Sequence, residues 1–385
     1  MDLEAFRWLL TDDGQELLAR ASDLPGDELT AQAALRRTAD PERVAAALTQ
    51  VELRRRAAPK FGADAARMYF TPDGLEQATR RPVAAHRAAR LAAFEARTLI
   101  DLGCGIGGDL LAGSAAGLIC AGVDIDPVRV AVAQANLDAL GLAGAVKEAD
   151  ATRVDVTPFD AAFADPARRS GSGRTFRADD WVPPWSFVER LLAGDACVKV
   201  APGIPHSLVP AGVEAEWVSD GGEVKEAALW SGRLASTARR ATVISGGGLA
   251  TLIDDEDPGA EVRAIGEFLY EPDGAVVRAG LVTAVAHGVE GGLVDPHIAY
   301  VTSDRSFHTP FARSYRVLEE LPYREKQLRA ALRERGVGRL TIKKRGVDVV
   351  PEQLRKRLDL SGEADATIVL TRVAGKGTAL LVRPF

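Results

Sequence analysis

Leu99-Ile100-Asp101-Leu102-Gly103-Cys104-Gly105-Ile106-Gly107-Gly108-Asp109 is the stretch whose reading decides the fold. An apolar strand runs into a glycine-rich turn, and a helix starts near Asp109. Glycine at such a turn lets backbone approach a ligand where a Cβ would clash. The spacing Gly103-x-Gly105-x-x-Gly108 also fits the dinucleotide fingerprint, so the loop by itself does not name its ligand. Asp101 weighs the choice. In dinucleotide enzymes the strand usually stays apolar up to the first glycine, whereas an acid two residues earlier suits a ligand that bears a cation.

From Thr98 to about Ser245 short apolar runs alternate with helical stretches. The strand candidates are Thr98–Leu102, Leu118–Asp124, Ala143–Glu148, Ala161–Ala164, Ala196–Ala201, Ala215–Ser219, Glu226–Trp230 and Ala241–Ser245. That alternation predicts a parallel α/β sheet. Acids recur where the strands end. Asp124, followed by Ile125, lies 23 residues after Asp101 and is placed to accept ribose hydroxyls. Asp126-Pro127 opens a helix with the acid as its cap. Asp150, before Ala151, follows the third strand and is offered to an adenine amino group. These acids, with the amino group and sulfonium of S-adenosylmethionine (SAM), make SAM the expected cofactor. Phe163-Ala164-Asp165-Pro166-Ala167-Arg168-Arg169 sets another acid at the carboxyl edge of the sheet, where open α/β sheets bind ligands. Asp165 is a candidate to orient the nucleophile or accept its proton, or is held by Arg168 or Arg169. Those guanidiniums are also candidate phosphate contacts.

Outward from this centre the character changes. Residues 1–95 are rich in Ala, Leu and Arg and read as a helical domain, 96–255 as the cofactor domain, and 262–385 as a third domain after an acidic linker. Strands in the third are expected at Ile298–Thr302, Tyr315–Glu319, Leu340–Lys344, Thr367–Arg372 and Ala379–Val382. With 46% apolar and 26% charged residues, the 385-residue chain buries ample core, which excludes disordered and fibrous classes. No apolar run is long enough to span a membrane, and Met1-Asp2-Leu3-Glu4 lacks the basic start of a secretory signal. Cys104, Cys120 and Cys197 are widely spaced and the five histidines scattered, so neither a disulfide framework nor a metal site is expected. A cytoplasmic, metal-free protein follows. The net charge of −6 is uneven: Arg313–Phe385 holds 17 Lys+Arg against 9 Asp+Glu, leaving about −14 on the rest. A basic end on an acidic chain points to a polyanion partner, with Lys343, Lys344 and Arg345 as candidate contacts.

The ordered set Asp101, Gly103, Gly105, Asp124, Asp150 and Asp165-Pro166 resembles class I SAM-dependent methyltransferases. Tyr69-Phe70-Thr71-Pro72, Gly74-Leu75-Glu76-Gln77-Ala78-Thr79, Tyr300-Val301-Thr302-Ser303-Asp304 and Leu340-Thr341-Ile342-Lys343-Lys344-Arg345-Gly346 are similar to a bacterial group that ends in a THUMP-like domain. The resemblance implies a Rossmann-like, seven-stranded methyltransferase core between a helical amino-terminal domain and an α/β THUMP-like module. It implies methylation of RNA, a tRNA or rRNA. Asp101, Gly103, Gly105 and Gly107 would hold the methionine part of SAM, Asp124 and Ile125 the ribose side, and Asp150 and Ala151 the adenine. Phe70 and Thr71 would cover the cofactor, and Asp165, Pro166, Arg168 and Arg169 would face the substrate. One departure stands out. Enzymes that methylate exocyclic amines often follow Asp/Asn-Pro-Pro with an aromatic ring, whereas Pro166 is followed by Ala167-Arg168. A stacking ring would have to come from Phe176, Trp181 or Trp185. The alternatives are a small-molecule or protein methyltransferase, and a non-catalytic RNA-binding protein that keeps the SAM fold.

Overall fold

Side-chain caps and prolines set the helices of the amino-terminal third. A computed structural model describes residues 2–24, 28–37, 39–168, 181–246, 248–254 and 257–385. Helices α1 (Leu3–Leu9), α2 (Asp12–Asp23) and α3 (Glu28–Leu35) lead to α4 (Pro41–Phe61). Asp40 caps α4 by accepting from the Arg43 amide at 3.0 Å, with Pro41 in the first turn. Thr71 caps α5 (Pro72–Gln77) in the same way, and α6 (Arg81–Ala93) follows. These helices share their core with the sheet: Phe6, Leu53, Phe61 and Phe70 lie in one buried cluster with Leu99, Leu110, Val132 and Phe163. Each such side chain removed from water contributes about 1.5–3 kcal/mol.

The chain divides into two compact units, Met1–Glu214 with Ala227–Ser236, and Ala215–Glu226 with Thr237–Phe385. In the first, β1 (Thr98–Leu102), β2 (Ile119–Asp124), β3 (Ala145–Glu148) and β4 (Ala161–Ala164) are parallel. A two-residue pair, β5 (Ala167–Arg168) with β6 (Trp181–Val182), follows. β7 (Ala196–Val200) then joins the sheet beside β4, giving the order β3-β2-β1-β4-β7. Helices α7 (Gly108–Ala115), α8 (Pro127–Leu140) and α9 (Trp185–Leu191) lie between these strands in the chain. β8 (Glu214–Asp220) comes next, and Ala227–Trp230 of β9 (Glu223–Trp230) runs antiparallel to β7. The arrangement is the α/β sheet that the alternating pattern predicts. Its register sets Asp101 opposite Gly122 on one side and Phe163 on the other, so the ends of β1, β2 and β4 converge.

In the second unit β10 (Arg239–Ser245) pairs in parallel with β8 and antiparallel with β11 (Gly248–Ile253). A seven-stranded sheet contains β12 (Phe268–Pro272), β13 (Gly292–Asp295), β14 (Ile298–Ser303), β15 (Ala312–Leu321), β16 (Val337–Lys344), β17 (Ala364–Val373) and β18 (Lys376–Pro384). Its order is β13-β14-β12-β15-β18-β17-β16, with only β16 and β17 parallel. Short helices α10 (Gly274–Ala279) and α11 (Val282–Gly288) precede β13. Helices α12 (Glu325–Glu334) and α13 (Pro351–Leu358) cluster Leu328, Leu332, Leu354 and Leu358 with Leu340, Ile342, Ile368 and Leu370 of the sheet. Among the described residues no helix is long and apolar enough to cross a membrane, and no group of His, Cys, Asp and Glu is gathered to hold a metal.

Candidate active site

The glycine loop leaves β1 through left-handed backbone. Gly103 and Gly105 have φ of +89° and +57°, and open space stands where a Cβ would be at either position. Both features favour glycine, and the space is what a closely approaching ligand requires. The loop is tied down on its other side. The Gly103 and Cys104 amides donate to the Val123 carbonyl at 2.8 and 2.9 Å, and the Gly105 amide donates to Asp124 Oδ2 at 3.0 Å. The second oxygen of Asp124 accepts from the Asp126 amide at 3.0 Å. Each carboxylate oxygen keeps a further lone pair for a ligand. Gly107 begins α7, and Asp126 caps α8 by accepting from the Val128 amide at 2.8 Å.

Asp101 is the anomaly of the sheet edge. It is 1% exposed, and neither carboxylate oxygen has a well-formed hydrogen bond, the Leu110 amide giving only a weak one. Burial, then the charges of Asp165 and Asp124, push its carboxyl up to about 7, with Arg87 pulling the other way. A buried, unpaired carboxylate is costly, and a ligand cation beside it removes that cost. The residues present therefore fit SAM: an orphaned acid for its amino group sits beside an open glycine loop. The cleft is lined by Asp101, Gly103, Gly105, Phe163 and Asp165, closed on one side by Gln77-Ala78-Thr79.

Asp165, just beyond β4, is held by Lys199 of β7: Lys199 Nζ lies 2.5 Å from Asp165 Oδ2. Lys199 also donates to Thr79 Oγ1 at 3.4 Å, and the Thr79 hydroxyl donates to Asp109 Oδ2 at 2.8 Å. Asp109 in turn pairs with Arg87, whose guanidinium lies 4.4 Å from the Phe163 ring centre. Lys60 belongs to the same neighbourhood. Burial and the nearby Lys199 and Arg80 lower its ammonium to about 8, against Glu76. Thr79 closes the quoted Gly74–Thr79 motif, whereas Lys60, Arg87 and Lys199 were not singled out by their sequence context. The one available signal was Lys199, a lone charge in the run Ala196-Cys197-Val198-Lys199-Val200.

Other expected residues fall elsewhere. Phe70 is fully buried against Phe61, with ring centres 5.5 Å apart, and Thr71 serves as the α5 cap. The part of this segment that lines the cleft is Gly74 and Gln77-Ala78-Thr79. Two buried amides fix it. Gln50 exchanges hydrogen bonds with the Phe70 amide and carbonyl at 3.0 and 2.7 Å. Asn136 accepts from the Tyr69 amide at 2.6 Å and donates to the Tyr69 and Ile106 carbonyls at 3.0 and 2.9 Å. Ile125 is 73% exposed beside Asp124. Asp150 turns back on its own loop, accepting from the Thr152 amide and hydroxyl at 2.9 and 2.7 Å, bonds that lower its pKa; Ala151 opens that turn. Pro166 is buried, Arg168 lies in β5, and Arg169 and Phe176 lie outside the described residues. Trp181 and Trp185 are buried against each other at 5.5 Å, so neither offers an open stacking face. Cys104, Cys120 and Cys197 are free and buried, and burial raises the Cys104 thiol far above its usual range.

In the second unit the basic triplet is not one cluster. Lys343 Nζ pairs with Glu271 Oε2 at 2.6 Å, and the Arg345 guanidinium lies 5.4 Å from the Tyr300 ring centre. Lys344 alone of the three is exposed. The alternation of a strand separates Lys343 from Lys344, sending them to opposite faces.

An unpaired acid over an open glycine turn is a receptor for a small cationic ligand, and the comparisons give its class: the chain belongs to the S-adenosylmethionine-dependent methyltransferases. An S-adenosylmethionine-dependent methyltransferase of Mycobacterium tuberculosis, described as uncharacterized, is 40% identical over 353 residues, covering 86% of this chain and 95% of its own. It matches equally in strains CDC 1551 and H37Rv. A THUMP domain-like family matches residues 312–384, and a domain family of unknown function matches residues 2–57. A crystal structure from Porphyromonas gingivalis W83, provisionally described as a methyltransferase, shares the fold at a TM-score of 0.73 and 20% identity. It covers 96% of this chain and 98% of that one.

Proposed function

We propose that the protein transfers the methyl group of SAM to RNA, with a tRNA or rRNA as substrate. The observation that carries this reading is the THUMP domain-like segment, residues 312–384, in the same chain as the methyltransferase cleft. The basic surplus of that segment supports it, because a polyanion is bound through its phosphates. Bound SAM supplies an already activated methyl on its sulfonium, so the work left to the protein is alignment. In this reading Asp101 takes the amino group, and the backbone at Gly103, Gly105 and Gly107 lies along the methionine part. Asp124 takes the ribose hydroxyls with Ile125 beside it, and Asp150 with Ala151 lies at the adenine end. Asp165 and Pro166 face the acceptor. Free, buried cysteines fit a reducing compartment such as the cytoplasm.

The test is transfer from methyl-labelled SAM into total RNA taken from a strain that lacks the gene, with RNA, protein and small molecules separated afterwards. Label in the RNA fraction is expected. Label confined to protein or to a metabolite would replace RNA with that substrate class.

A further inference from the structure

At the substrate side of the cleft the Lys199–Asp165 pair presents a specific pattern. Lys199 donates to Asp165 Oδ2 at 2.5 Å and to Thr79 Oγ1 at 3.4 Å. Among the described residues its third N–H and the Oδ1 atom of Asp165 have no partner, and the two side chains are 18% and 33% exposed. The pair therefore offers one donor and one acceptor side by side. Both are held in place, since Thr79 is anchored by Asp109 and Asp109 by Arg87.

RNA offers methyl acceptors on its bases, at ring carbons, ring nitrogens and exocyclic amines, and on its riboses, at the 2′-hydroxyl. A base amine has two donors, and its lone pair is delocalised into the ring, so it has nothing to give the Lys199 donor. A hydroxyl is donor and acceptor at once, and its oxygen is steadied by an adjacent cation. Among the described residues no open stacking ring follows Pro166: Ala167-Arg168 come next, and Trp181 and Trp185 pack on each other.

We propose that the methyl acceptor is the 2′-hydroxyl of an RNA ribose, oriented by donating to Asp165 Oδ1 and accepting from Lys199. The inference rests on the RNA reading above. In the transfer the hydroxyl oxygen bonds to the methyl carbon and the carbon–sulfur bond breaks, with its electron pair going to sulfur. The O–H proton passes to Asp165 Oδ1 and then to water. Lys199 keeps its proton throughout and acts as a positioning residue for the oxygen and for Asp165.

The experiment uses the full chain, methyl-labelled SAM and total RNA from a strain lacking the gene. The labelled RNA is then hydrolysed in alkali, which leaves linkages at 2′-O-methylated riboses intact. Label in alkali-stable dinucleotides is expected. Label on a base in mononucleotides overturns this inference and leaves the RNA reading standing, whereas no label in RNA overturns both. Lys199→Met should lower transfer by about 100-fold, the scale of a misplaced nucleophile. Its affinity for S-adenosylhomocysteine, measured by calorimetry, should match the parent, and Lys199→Arg should recover part of the rate. If the methionine variant does not bind S-adenosylhomocysteine, Lys199→Gln takes its place. Transfer at the parental rate in the folded variant overturns the role of Lys199.

Discussion

Asp101→Asn separates folding from binding. The carboxyl is 1% exposed and held at about 7, against 3.8 when unburied. Between those values the folded protein keeps a proton that the unfolded chain releases, so stability falls as pH rises through that window. At about 1.4 kcal/mol per unit, the parent loses on the order of 3 kcal/mol between pH 5 and pH 7 from this group alone. Asparagine has a similar shape and cannot ionise, so the variant escapes that loss. Urea unfolding without cofactor should show Asp101→Asn gaining on the parent by on the order of 3 kcal/mol from pH 5 to pH 7. Binding should move the opposite way. Loss of a charged partner for the ligand's amino group should weaken S-adenosylhomocysteine by about 1.5–3 kcal/mol at pH 8, measured by calorimetry. In the parent, affinity should climb about tenfold per pH unit below pH 7 and level off above it, because the bound form needs the carboxylate ionised. Equal affinities, with a stability difference that does not change with pH, would refute both the buried charge and its pairing with the cofactor.

Three further outcomes follow from the same geometry. Asn136→Ala leaves the Tyr69 amide and the Tyr69 and Ile106 carbonyls unpaired in the core, so unfolding should cost about 2–4 kcal/mol less. S-adenosylhomocysteine affinity should drop with it, because Ile106 belongs to the glycine loop. Gly105→Ala forces a side chain into φ +57° and into the open cleft. It should cost about 1–2 kcal/mol in stability and, by calorimetry, more than that in cofactor binding. Lys344→Ala should make the log–log salt dependence of RNA binding shallower by about 0.7. Lys343→Ala should leave that slope alone and destabilise by about 1–2 kcal/mol, because it strips the partly buried Glu271 of its cation.

What the sequence made legible was whatever one segment dictates by itself. The β1 strand and its glycine turn announce themselves in eleven consecutive residues. The Asp126-Pro127 cap needs only its own helix. The strands β14 to β18 lie where apolar runs were read, whereas β12, β13, α10 and α11 are four to seven residues long and too short for a period to show. Contacts between distant segments were not legible. Phe70 was expected to cover the cofactor because its motif, Tyr69-Phe70-Thr71-Pro72, resembles that of related methyltransferases. Its place in the core depends on Gln50 and Phe61, and nothing in the motif mentions either.

The Lys199–Asp165 pair shows where a better reading would have started. A charge inside a strand buried on both faces cannot stay unpaired, so Lys199 demanded an acid on a neighbouring strand. The parallel order places β4 next to β7, with Ala164 in register with Val198, and the next residue on each strand is Asp165 and Lys199. Sequence alone therefore had both halves of the pair and the rule that joins them. What it lacked was strand adjacency, because neighbours in a doubly wound sheet are set by crossovers, not by order along the chain. The ammonium that pairs with Asp165 comes from 34 residues further on.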